Sequence, residues 1–212
     1  MKNLVLALAI SAAGAAFAGT TALQLSVIAP IQAPDVMYDV EGLRLSLLYG
    51  GSQQFRGADI GIANRTYQDF TGFAFGGGNI VDCRMYGCQA GFVNWNGNPA
   101  MHWGRISAGA QIGLFDCSKD FCGFQGGGVC LSRGKVYGVQ CGFVNISRDL
   151  DGTQNGILLI LGVNVVYGTL DGCQIGLFNY AEAIEGGLQI GLLNMIGKGG
   201  LLRIMPIVNF KF

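Results

Sequence analysis

From residue 42 onward the chain repeats one alternation of apolar and polar positions, Gly-x-Gln-x-Gly-apolar-x-Asn plus a brief connection, with a period of about fifteen residues. With the leading glycine numbered position 1, successive units begin at Gly42, Gly57, Gly72, Gly87, Gly109, Gly123, Gly138, Gly152, Gly172, Gly187 and, without the glycine, Leu202. Positions 2, 4 and 6 are mostly apolar: Leu43, Leu45 and Leu47 in the first unit, Ala110, Ile112 and Leu114 at Gly109, Leu188, Ile190 and Leu192 at Gly187. Positions 1, 3 and 5 read Gly, Gln, Gly. Side chains alternate across a strand, so each unit carries one apolar face and one glycine–glutamine face. This period of two, bounded by Asn, Asp, Ser and Gly, predicts one strand per unit, and no stretch after residue 18 shows a competing helical period. The predicted fold class is all-β.

The signature residues are predicted to be structural. They include Gly57, Gly61 and Asn64; Gln89, Gly91 and Asn94; Gln111 and Gly113; Gln140, Gly142 and Asn145; Gln174, Gly176 and Asn179; and Gln189, Gly191 and Asn194. Glycine weakens a strand, so its recurrence marks sharp twist or the close approach of another backbone. Glutamine between two glycines has room to lie along the sheet and bond to its neighbours. Asparagine at position 8 stands at the strand end, where it starts a turn.

Two architectures fit one strand per unit. The first is an antiparallel, closed, shallow β-barrel of about twelve short strands, which leaves no exposed edge. Gly-x-Gln-x-Gly is nearly symmetric about its glutamine, so up and down strands could present the same central face. The apolar run is short for a strand crossing a bilayer, which needs roughly nine to eleven residues, hence a shallow barrel. The alternative is a parallel β-solenoid in which each unit is one coil, with Asn and Gln stacked as ladders and the apolar face inside. A longer repeat mildly favours the solenoid: Gly72 to Asn94 matches Gly123 to Asn145, glycine triplets 76–78 and 126–128 included. The terminal segment and the high hydrophobicity tip the expectation to the barrel.

The N-terminus adds a compartment. Lys2, an apolar run from Leu4 through Ala16 and the triplet Ala16-Phe17-Ala18 have the layout of a secretory signal peptide cleaved after Ala18, leaving a single β-repeat domain at 19–212. Without Lys2 the chain has twelve basic and thirteen acidic residues, a balance that offers nothing to nucleic acid. Charged residues make up 12% of the chain and hydrophobic residues 50%, an odd pairing for an ordinary water-facing domain. Seven cysteines in an exported chain allow disulfides, and Cys117 with Cys122, flanking four residues, form the expected bridge if a hairpin joins their strands.

Catalytic chemistry finds little support. His102 is the sole histidine and has Trp103 beside it, which reads as an aromatic loop cluster rather than half of a nucleophile–base pair. The glycine triplets lack the Lys-Ser/Thr of a phosphate loop, and the cysteine pairs lack the spacing and histidines of a zinc site. No enzyme activity, cofactor or metal is expected.

The units Gly172 to Asn179 and Gly187 to Asn194, the ending Pro206 to Phe212 and the opening Leu23-Gln24-Leu25-Ser26 resemble a family of bacterial surface-repeat proteins. The terminal segment, with Phe210 and the C-terminal Phe212, is also similar to the last strand by which outer-membrane barrels are recognised for assembly, although Ile207 stands where that signal has glycine. These resemblances imply an exported protein of the outer membrane or cell surface of a Gram-negative-type bacterium, with the periplasm as the alternative. Its expected partners are membrane lipid or other surface proteins, and its apolar face is expected to meet lipid or enclose a small hydrophobic channel. The solenoid alternative is a soluble or peripherally attached binding platform whose flat glycine–glutamine face meets protein or glycan.

Overall fold

The computed structural model describes residues 19–98, 106–156 and 162–211, which fall into two compact units divided between Met101 and His102. The proposed signal peptide, His102, Trp103 and Phe212 lie outside the described residues. The first unit contains β1 (Thr20–Ile28), β2 (Ile31–Ala33), β3 (Asp39–Ser52), β4 (Phe55–Thr66), β5 (Phe70–Val81) and β6 (Met85–Asn96). The second contains β7 (Ser107–Ser118), β8 (Phe121–Gly156), β9 (Val163–Ile175), β10 (Phe178–Lys198) and β11 (Ile204–Lys211). Every regular element among the described residues is a strand, as the period-two pattern predicts.

Strand direction decides between the two architectures. In the first unit β1 pairs parallel with β3, β3 with β4, β4 with β5 and β5 with β6. In the second, β7 pairs parallel with β8, β8 with β9 and β9 with β10. The register advances by one repeat per strand: Gly42, Gly57, Gly72 and Gly87 sit side by side, as do Asn64, Asn79 and Asn94. Each repeat is therefore one coil of a parallel β-solenoid, and the antiparallel closed barrel is not the fold. The physical reason lies at position 8. A parallel stack brings each asparagine onto the next, whereas antiparallel strands would scatter the asparagines to opposite rims.

Among the described residues only the outermost strands run antiparallel. In the first unit β2 pairs antiparallel with β1, and in the second β11 pairs antiparallel with β10. Both are short strands at the ends of their sheets, where an open ladder would otherwise invite pairing with another chain. β11 places Phe210 opposite Leu188 and Ile207 opposite Gly191, with Ile207 at a φ of 69°.

The interior is the reverse of the one expected for a solenoid. Position 3 points inward, with Gln111, Gln125, Gln140, Gln154, Gln174 and Gln189 all fully buried. Position 8 also points inward from Asn64 onward, and so do position 10 and the residue two places before each leading glycine up to Gly172; before Gly187 a shift in register puts Ile184, three places ahead, in that row. That last row supplies the bulk: Phe55, Phe70 and Met85 in the first unit, then Phe121, Val136, Leu150 and Leu170 in the second. Phe55 and Phe70 stack with centroids 5.4 Å apart and planes 8° from parallel. In the second unit Val136, Leu150, Val166, Leu170, Ala181, Ile184 and Ile196 form one apolar cluster. The apolar positions 2, 4 and 6, expected inside a coil, face outward.

The leading glycines are required twice over. Gly172 has a φ of 139°, which an L side chain rarely adopts, and a Cβ there would lie 2.0 Å from the carbonyl oxygen of Gly152 in the preceding coil. Position 5 needs glycine for space alone: a Cβ on Gly91 would lie 2.1 Å from the Gly76 oxygen and 2.8 Å from Asn79 Nδ2.

Candidate functional site

Inside the second unit, the amide of each position-3 glutamine donates from Nε2 to Oε1 of the glutamine one coil earlier. Gln125 reaches Gln111 at 2.7 Å, Gln140 reaches Gln125 at 2.9 Å, Gln154 reaches Gln140 at 2.7 Å, Gln174 reaches Gln154 at 2.8 Å and Gln189 reaches Gln174 at 2.6 Å. A buried amide without a partner costs roughly 1–3 kcal/mol, so the uninterrupted ladder is what makes a polar interior tolerable.

The asparagine row forms ladders in both units. Asn64 donates to Asn79 at 3.0 Å and Asn79 to Asn94 at 2.9 Å; Asn145 donates to Asn164 at 2.8 Å, Asn164 to Asn179 at 2.7 Å and Asn179 to Asn194 at 2.8 Å. The same Nδ2 groups also reach a carbonyl of the following coil, for example Asn79 to Ala90 at 3.1 Å and Asn179 to Ile190 at 2.9 Å. Asparagine thus ties one coil to the next over the position-5 glycine, a broader role than starting a turn. Asn164 belongs to this ladder but escapes the sequence frame, because the unit at Gly152 is longer than its neighbours and shifts it off position 8. Cys130 also falls in this row, and burial, with Asp116 beside it, pushes its thiol up to about 12.

The first unit fills position 3 differently. Here the row reads Gln24, Arg44, Asp59, Ala74 and Gln89. Arg44 and Asp59 are both buried and form a two-pronged ion pair, Nε to Oδ1 at 2.8 Å and Nη2 to Oδ2. Arg44 also donates from Nη1 to Ser52 Oγ at 3.0 Å and to the Arg65 carbonyl at 3.2 Å, with its guanidinium 5.0 Å from the Phe55 ring centre. Burial raises the Asp59 carboxyl above its ordinary value, and the Arg44 charge pulls it back. No solvent reaches the pair, so it serves the fold rather than a substrate.

Cys117 is buried and Cys122 exposed, and both thiols are free. β7 and β8 are parallel, joined by Lys119 and Asp120, and the register sets Cys117 beside Leu131 and Cys122 beside Ala108. The connection is a corner of the coil rather than the hairpin turn on which the bridge was predicated. The carboxylates of the connections have ordinary surface partners: Lys135 lies 3.8 Å from Asp151, and Lys198 lies 3.7 Å from Glu182. Among the described residues no group of three or more His, Cys, Asp or Glu could hold a metal ion, and no helix is long and apolar enough to cross a membrane.

What remains is the outer wall. In the first unit positions 4 and 6 form two adjacent rows running from coil to coil, Leu25, Leu45, Ile60, Phe75, Ala90 and Val27, Leu47, Ile62, Gly77, Phe92. Leu47 is 65% exposed, Ile62 58%, Phe75 56% and Phe92 71%. Part of this wall is a shallow, open hollow of about 760 Å³ between Leu25, Val27, Leu45, Leu47, Ile60, Ile62 and Phe75. The second unit presents Ile112, Leu114, Phe124, Phe143 and Leu192 in the same way. The ion pairs Arg65–Asp82 (2.9 Å) and Arg84–Asp69 (2.6 Å) lie beyond position 8, off this wall. Water-exposed apolar area on this scale marks a contact surface. No family model, curated protein or solved structure matches this chain, so the assignment of the wall rests on its own geometry.

Proposed function

We propose that this chain is a non-catalytic β-solenoid that works as a binding platform, and that its binding face is the outer apolar wall formed by positions 2, 4 and 6 of successive coils. The observation that carries this reading is the inversion of polarity. Inside, the ladder amides bond to one another, with the end oxygens of Asn64, Asn145 and Gln189 left unpartnered, while large apolar side chains stand outside. Ordinary folding would bury such residues, since each exposed Leu, Ile or Phe forgoes roughly 1.5–3 kcal/mol of transfer free energy. A face that keeps them exposed in coil after coil is suited to an apolar partner. The glycine–glutamine face, considered from sequence as a platform for protein or glycan, is interior and unavailable.

Export belongs to the same proposal. It rests on the layout of residues 1–18 and on the resemblance to surface-repeat proteins, with the outer membrane or cell surface as the place of work and lipid or another surface protein as the class of partner. The full chain is tested beside a variant carrying Leu47→Lys, Ile62→Lys and Phe75→Lys, by retention on a phenyl-substituted column and by enhancement of anilinonaphthalene sulfonate fluorescence. The parent is expected to be retained and to enhance the dye, and the variant, with an unchanged far-ultraviolet dichroism spectrum, to elute earlier and enhance the dye less. Equal retention of the two would overturn the wall as the binding face.

A further inference from the structure

We infer that the apolar wall of the first unit lies flat on a lipid bilayer, with the outward side chains of β1 and β3 to β6 bedded among acyl chains and with no preference for anionic lipid. The inference rests on the reading of the wall as a binding face and names what binds there.

The first ground is the chemistry of the wall's outward atoms. Positions 2, 4 and 6 of these five strands hold Leu, Ile, Val, Phe, Ala, Gly and one Cys, Cys88, and not a single side-chain oxygen or nitrogen. The backbone groups between neighbouring strands are engaged in the parallel ladder. Five strands at about 4.8 Å spacing and six residues at about 3.3 Å rise give this face roughly 500 Å². A protein interface of that size carries on the order of five hydrogen bonds, and the hydroxyls of a glycan would need partners throughout. The side chains of the wall can make none. Hydrocarbon needs none, and being fluid it fills the shallow hollow between Leu25, Leu47 and Phe75, which a rigid partner would have to match in shape.

The second ground is the border. Tyr86, 41% exposed, stands at one edge of the wall, and Tyr49 and Trp95, the latter 37% exposed, stand at the other. Each has an apolar body and a polar tip, the character of side chains that settle at headgroup level. Charges begin in these border rows and come in opposite pairs, Glu41 with Arg56 at 3.8 Å on the Tyr86 side and Arg65 with Asp82 at 2.9 Å on the other. Balanced pairs suit a zwitterionic surface and give no hold on an anionic one, which takes a cluster of Lys or Arg. In the second unit the same outward rows are broken by Thr153 and by the exposed Asn155, so the first unit carries the unbroken face.

The test is flotation of the full chain with phosphatidylcholine vesicles. The parent is expected to float, to an extent unchanged between about 0.1 M and 1 M salt and not increased by phosphatidylglycerol. The wall variant with Leu47→Lys, Ile62→Lys and Phe75→Lys is expected to lose at least about tenfold in bound fraction. A variant with the same three charges in the connections, Gln53→Lys, Gln54→Lys and Gln68→Lys, is expected to float like the parent. Contact is also read locally, with vesicles whose acyl chains carry bromine. Against the parent, the added tryptophan of Ile62→Trp is expected to be quenched and that of Gln68→Trp not, a contrast that the apolar run at residues 4–16 cannot produce. A wall variant that floats like the parent, an Ile62→Trp quenched no more than Gln68→Trp, or binding confined to anionic vesicles overturns the inference. A parent retained on the phenyl column that floats with no vesicle overturns lipid as the occupant while leaving the wall as a binding face. A parent neither retained nor floated defeats both readings.

Discussion

The two units share one coil and differ in what fills its centre. In the second unit position 3 is an unbroken glutamine ladder from Gln111 to Gln189, whereas in the first the corresponding row passes through a buried Arg44–Asp59 pair and Ala74. The glycine column and the asparagine ladder are common to both: Gly57 and Gly172 have nearly the same φ, 136° and 139°, and Asn79–Asn94 and Asn164–Asn179 bond alike. The coil therefore depends on two columns, a glycine where backbones nearly touch and an asparagine that ties one coil to the next. The middle of the interior is open to any set of side chains that satisfies its own polar atoms.

The largest effects should fall equally on both units, at the shared glycine column. Gly57→Ala and Gly172→Ala each drive a methyl to about 2 Å from a carbonyl at a φ that alanine resists; each should cost at least about 4 kcal/mol and abolish cooperative urea unfolding as followed by circular dichroism. A mild shift at either site would show that the column is not common ground.

Next come the centres, where the units should part. Asp59→Ala strands a buried guanidinium and should cost about 3–5 kcal/mol. Gln140→Ala leaves the Gln125 oxygen and one bond of Gln154 unmet and opens a cavity, at about 2–4 kcal/mol. Replacing the ion pair by the residues of the other unit, Arg44→Gln with Asp59→Gln, should bring the unfolding free energy from urea titration back to within about 1 kcal/mol of the parent. If this double variant were as unstable as Asp59→Ala, the centre would not be interchangeable. The smallest effect belongs to the end strand of the second unit. Ile207 is β-branched and held at a φ of 69° while 71% exposed, so Ile207→Gly should raise the melting temperature, corresponding to about 1 kcal/mol.

Much of this was legible in the sequence. The repeat, the strand in each unit and the structural character of Gly, Gln and Asn all follow from spacing, and the solenoid was one of two architectures the spacing allowed. Direction was not legible, because a motif nearly symmetric about its glutamine reads the same up or down. Nor was the side that faces inward. Alternation groups Leu43, Leu45 and Leu47 on one face, but the usual rule sends that face to the core, and here it fails because stacked amides satisfy one another without water. A further signal was present and unread: the residue two places before the glycine, bulky and apolar at Phe55, Phe70, Met85, Phe121, Val136, Leu150 and Leu170, is the core row. Asn164 was hidden by a longer connection, which a fixed frame cannot follow.

The central claim is that neighbouring repeats lie parallel and in register, and it predicts which pairs of residues can be cross-linked. Phe73 is the partner of Cys88 across β5 and β6, at about 4.8 Å between backbones, within the reach of a disulfide. Folded back as an antiparallel hairpin, β5 would instead bring Phe73 near Val93. The measurement is mild oxidation of Phe73→Cys beside the native Cys88, compared with Phe73→Cys and Val93→Cys in a chain carrying Cys88→Ser, with the bridges identified by peptide mass spectrometry. A bridge from 73 to 88 and none from 73 to 93 is the predicted result; a bridge from 73 to 93 with none to 88 would contradict the parallel coil and everything built on its two faces.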